Sequence, residues 1–86
     1  MRERTWLQNV QLAEIDLQTV AGFIHKFVGE RDEEAQLIRA RYRYLRNELS
    51  AVKMYGSGSP ENWKIKELVA DCLRRYEREH ASDSPS

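Results

Sequence analysis

The residues in this 86-residue chain best suited to chemistry are the arginines of Arg39-Ala-Arg-Tyr-Arg-Tyr-Leu-Arg46. On a helix, turning about 100° per residue, Arg39, Arg43 and Arg46 fall on one side and Lys53 continues the line. None of the three arginines has a carboxylate three or four residues away, the separation at which pairs form along one helix. Their partners must therefore lie on another helix, another chain or a ligand. A guanidinium fork matches phosphates and carboxylates alike, and Tyr42 and Tyr44 add stacking surface where they are exposed. Pairing with carboxylates of another helix, around Glu14 or Glu61–Glu67, is the simpler expectation. Phosphate binding is the rival.

A catalytic set is harder to assemble. Glu67 and Asp71 share a helix face, and with Glu30, Glu33 or Glu34 they have the oxygen donors that magnesium takes. Asp71, however, has Arg74 and Arg75 within pairing distance on its own segment, and Arg75 in turn has Glu79. The ordered acidic motifs of the all-helical pyrophosphohydrolases are absent, and the arginine–lysine set of chorismate mutases cannot be placed. His25 and His80 stand far apart in sequence. Cys72, the single cysteine, excludes an internal disulfide and cannot form a metal cage alone. The expectation is no enzyme, no metal and no cofactor.

The elements that position these residues follow from one spacing. Apolar side chains alternate in steps of four and three through Trp6, Val10, Ala13, Leu17, Val20, Ile24 and Phe27. The same spacing runs through Ile38, Tyr42, Leu45, Leu49 and Val52, and through Ile65, Val69, Cys72 and Tyr76. Such steps keep one stripe of a helix apolar. They predict three helices, over about 5–28, 33–55 and 60–80, with a polar tail at 81–86. Thr5 is suited to cap the first and Gly29 to end it, with a bend conceivable at Asp16 or Gly22. Acidic residues open the second, which stops at Gly56-Ser-Gly-Ser59, and Ser59-Pro60 restarts the third. The fold class expected is all-α, either a small antiparallel three-helix bundle or a helical hairpin that dimerises.

Some apolar residues lie off these stripes: Leu7, Leu12, Ile15 and Phe23 in the first segment and Trp63 in the third. A helix apolar on two sides is either central in its own domain or covered by another chain. Fourteen basic and fourteen acidic side chains give zero net charge, so global attraction to nucleic acid or anionic lipid is not expected. No apolar run approaches the roughly 20 residues that cross a bilayer, and the first residues do not resemble a signal peptide, so a cytoplasmic location is expected.

Together these features point to a non-catalytic protein–protein interaction module, an adaptor, regulator or inhibitor that presents a helix face and can form a homodimer. Leu12, Ile15, Phe23 and Trp63 would be its apolar anchors, and Arg39, Arg43, Arg46 and Lys53 would meet acidic groups of the partner. The alternative is a nucleic-acid-binding accessory subunit that lays the same cationic line along phosphates.

Overall fold

The computed structural model describes residues 5–27 and 32–81. Gly29, Glu30, the tail at 82–86 and the side chain of Glu61 lie outside that description. Helix α1 runs Trp6–Lys26, α2 runs Glu33–Tyr55 and α3 runs Ile65–His80, with a short 3-10 turn at Pro60–Trp63. No strand occurs among the described residues. The protein is a small all-α three-helix bundle.

Cross-helix contacts give the directions. Glu14 meets Lys53 and Trp6 donates to the Gly58 carbonyl just past α2, so α1 and α2 are antiparallel; Arg41 meets Asp71 while Glu34 meets Arg78, so α2 and α3 are antiparallel as well. Asp16 meets Lys66 and Phe23 meets Tyr76, which leaves α1 and α3 parallel. Packing is uneven. Both α2 and α3 lie closely against α1, whereas α2 and α3 touch each other less.

The helix ends are chemically specified. Thr5 and Gln8 form a reciprocal capping box: the Gln8 backbone N–H donates to Thr5 Oγ1 at 3.1 Å, and the Thr5 N–H donates to Gln8 Oε1 at 2.9 Å. α1 then continues through Asp16 and Gly22 as one helix. Helix α2 ends at Gly56, whose left-handed φ of 69° lets its N–H close on the Val52 carbonyl at 2.8 Å.

Buried residues on α1 are Val10, Ala13, Leu17 and Val20, followed by Phe27 just past its end. Helix α2 adds Ala35, Ile38, Leu45, Leu49 and Val52, as its spacing predicts, with Tyr42 half-buried beside them. Helix α3 departs from the expected stripe. Its buried positions are Ile65, Leu68, Cys72 and Arg75, while Val69 and Tyr76 are only half-buried. The physical reason is that α3 sits in the angle between two neighbours. Tyr76 turns to Phe23 on α1, and the opposite flank of the stripe turns to α2.

The start of the third helix also differs from expectation. Pro60–Trp63 forms a separate 3-10 turn, Lys64 takes a left-handed φ of 58°, and α3 begins only at Ile65. On one continuous helix Trp63 would point about 180° away from Cys72, out of the core. The break at Lys64 turns the indole towards α2, where it is half-buried against the core and lines a shallow cavity with Ala40, Arg41, Tyr44 and Leu45. A left-handed non-glycine residue costs about 1–2 kcal/mol, which burial of part of a tryptophan can offset.

Arg75 closes the far end of the molecule. Its side chain is 5% exposed, and its guanidinium lies over the Phe27 ring, 4.6 Å from the centroid. Nη1 donates to Asp32 Oδ2 at 2.5 Å and to Glu34 Oε1 at 3.0 Å, while Nη2 donates to Asp32 Oδ1 at 3.0 Å. Glu79 Oε2 stands 3.3 Å from Nη2, and Arg78 shares Glu34. Asp32, the residue that precedes α2, turns both its carboxylate oxygens to Arg75. This fork–fork pair holds the start of α2 against α3.

Two measurements follow from this construction. The hydrogen bond from Arg75 holds the Asp32 carboxyl below its ordinary 3.8. A lowered folded-state value means the pair's stabilisation is complete above about pH 4 and is lost as pH falls through the folded value. Asp32→Asn should therefore lower stability at pH 7, with the deficit relative to the parent shrinking below pH 3.8, as read by urea unfolding across that range. Gly58 has φ +115°, and a Cβ there would stand 2.7 Å from Val52 Cγ2. Gly58→Ala should cost about 1–3 kcal/mol, seen as a lower urea midpoint with an unchanged m-value.

Candidate interaction surface

Between Trp6 and Ile24, α1 carries only two charged residues, Glu14 and Asp16. Both are drawn to its flanks: Glu14 is ion-paired with Lys53 of α2, and Asp16 lies 3.4 Å from Lys66 of α3. The outward side is left uncharged. There Gln8, Leu12, Ile15, Thr19 and Gly22 follow in steps of four and three, about 180° from the buried stripe. Leu7 and Ile15 are each 57% exposed. Thr19 turns its hydroxyl back to the Ile15 carbonyl at 3.0 Å, and a Cβ on Gly22 would meet nothing within 4 Å. The helix thus has a second seam, uncharged and unobstructed, backed by its own buried one.

The apolar residues singled out from sequence separate into two groups. Ile15 stands on the outward seam. Leu12 is half-buried at its edge, lining a cleft with Asn9, Asp16, Pro60, Lys64 and Ile65. Phe23 and Trp63 are engaged inside the molecule. The Phe23 ring meets Tyr76 edge-on, 5.6 Å between centroids at 63°, and Trp63 packs on α2. Tyr76 is also stacked by His80 at 4.1 Å, and Lys26 lies over it at 5.9 Å.

The basic line separates too. Lys53 is paired with Glu14, as interhelical pairing predicts. Arg39 is half-buried and has a polar contact. Arg43 and Arg46 are exposed and have no ion pair with another described residue. Lys53 reaches α1, so this line runs along the α1 side of α2 and borders the uncharged seam. By contrast Arg41, Arg74, Arg75 and Arg78 are all ion-paired. Arg41 and the burial of Arg75 escaped the sequence reading, because their carboxylate partners are 30 to 43 residues distant along the chain.

The residues considered for catalysis have other engagements. Asp71 binds Arg41 at 2.7 Å and also pairs with Arg74. His80 sets Nδ1 3.0 Å from the Tyr76 carbonyl, while His25 is exposed near the end of α1. Among the described residues no group of three or more His, Cys, Asp or Glu is placed to hold a metal ion. Likewise no described helix is long and apolar enough to cross a membrane.

Comparison with protein-family models, with curated proteins and with solved structures found no match to this chain.

Cys72 is fully buried, and desolvation pushes its thiol up to about 11. An unfolded thiol ionises near 9.0, so the folded state holds its proton between those values. Stability should therefore fall as pH rises from 9 to 11. Cys72→Ala should flatten that decline, and the parent thiol should resist a disulfide reagent at pH 8 until urea unfolds the chain.

Proposed function

We propose that this chain is a non-catalytic interaction module that presents the outward seam of α1 to a partner protein. The observation that carries this reading is the uncharged seam running from Gln8 to Gly22, with both carboxylates of the helix on its flanks, paired with α2 and α3. A helix of the partner laid along that seam would bury Leu12 and Ile15. Arg43 and Arg46, exposed at its border, would meet carboxylates of the partner and set its orientation. An adaptor, regulator or inhibitor works through such a surface, with no bond made or broken.

Phe23 is unsuited to test this, because its ring supports Tyr76 within the fold. Ile15 is suited, being more than half exposed. A photo-crosslinking residue at Gln11 should yield one discrete protein adduct in an extract of the source cells. Ile15→Glu, with helicity unchanged by circular dichroism, should reduce that adduct at least about tenfold. An undiminished adduct, or the same adduct from a crosslinker at the exposed Glu77, would remove the seam as the docking face.

A further inference from the structure

Three of the four large apolar side chains exposed on α2 lie on one line, with Met54 to one side of it. Leu37, Tyr44 and Tyr55 are 58%, 64% and 76% exposed. Together with Arg41, Glu48 and Ala51 they follow in steps of four, three, four, three and four, the spacing of a two-helix seam. This seam faces the α3 side, since Arg41 reaches Asp71, whereas Lys53 reaches α1 from the other side of α2. Trp63 borders it, lining a shallow cavity with Ala40, Arg41, Tyr44 and Leu45. Because α2 and α3 touch sparingly, the seam is open to solvent.

We propose that a second copy of this chain covers the seam, with the two α2 helices antiparallel about a two-fold axis near Arg46. The pattern is self-complementary in that register and in no parallel one. Leu37 faces Tyr55 of the second copy, Arg41 faces Ala51, and Tyr44 faces Glu48; the two-fold repeats each contact. Arg41 then lies one step from Glu48 of the second copy, opposite charges at neighbouring positions. Glu48 is half-buried and has no ion pair with another described residue, so this carboxylate gains a cation. Parallel pairing would instead set Arg41 against Arg41 and Glu48 against Glu48, like charges facing each other. Small Ala51 opposite Arg41 leaves room for the guanidinium, which keeps its own Asp71. Zero net charge adds no long-range repulsion between copies.

The contact is one helix wide, so the affinity is on the order of micromolar. It leaves the outward seam of α1 uncovered. The dimer therefore stands independently of the partner-binding reading, and it would present two copies of that seam.

Sedimentation equilibrium from about 5 to 500 µM should show a monomer–dimer equilibrium. Tyr44→Glu, which sets a second carboxylate against Glu48, should weaken it at least about a hundredfold, while Ile15→Glu should leave it unchanged. Register is read by cross-linking. On mixing and oxidation, Leu37→Cys should join Tyr55→Cys, and neither variant should join itself, since 37 and 55 are about 27 Å apart along the helix. Buried Cys72 does not compete. A monomer throughout, a dimer that survives Tyr44→Glu, or self-joining of Leu37→Cys would each overturn the proposal. A dimer lost with Ile15→Glu alone would move self-association to α1 and overturn it equally.

Discussion

One helix has to supply the core for two others, and the rest of the bundle depends on that constraint. Helix α1 packs closely with both α2 and α3, while those two meet sparingly. Its buried stripe of Val10, Ala13, Leu17 and Val20 uses small and medium side chains, which let both neighbours approach. The flanks of that stripe are then spent on edge contacts: Glu14 towards Lys53 on one side, Asp16 and Phe23 towards Lys66 and Tyr76 on the other. Once those charges are drawn sideways, the back of α1 has none left. Its outer face is uncharged because the sequence places Gln8, Leu12, Ile15, Thr19 and Gly22 there.

The end of the molecule where α2 begins is held by electrostatics. A guanidinium buried on all sides is costly unless carboxylates and hydrogen bonds meet it, and Arg75 has Asp32, Glu34 and Glu79 around it with Phe27 beneath. The first turn of α2 gains from Glu33 and Glu34, whose charge suits a helix N-terminus. One arginine thus ties together the end of α1, the start of α2 and the last turns of α3. At the other end Trp6 bonds the Gly58 carbonyl at 2.9 Å, and Trp63 folds onto α2 through the left-handed turn at Lys64. Both ends are closed by long side chains bridging elements distant in sequence.

Charge is therefore sorted by location. Cations and carboxylates concentrate between α2 and α3, largely paired with each other, while the outward side of α1 is uncharged and Arg43 and Arg46 stand exposed on the other flank of α2. Catalysis needs convergent polar groups in a cleft. Here Asp71 and His80 are engaged with neighbours and Cys72 is sealed in the core.

The sequence by itself determined the helices, because the four–three spacing of apolar residues, the Thr5–Gln8 box and the turn at Gly56 are local signals read within one segment. It marked Ile15 and Leu7 as excess apolar surface for the same reason. It called for inter-helix partners along the basic line, which Lys53 finds in Glu14, whereas Arg43 and Arg46 have no ion pair with another described residue. What it could not show was how far α3 rotates about its own axis, because a stripe's neighbours on both flanks are apolar. Leu68 and Val69 are both good core residues, and only wedging against α1 and α2 decided that Leu68 is buried. Trp63 looked like a surface orphan until the break at Lys64 turned it inward. The burial of Arg75 was wholly a tertiary decision: its carboxylates lie on α2, more than 40 residues distant in sequence, and reach it only once the bundle has closed. Periodicity records which side of a helix is apolar, whereas the contacts that select among residues on that side exist only between helices.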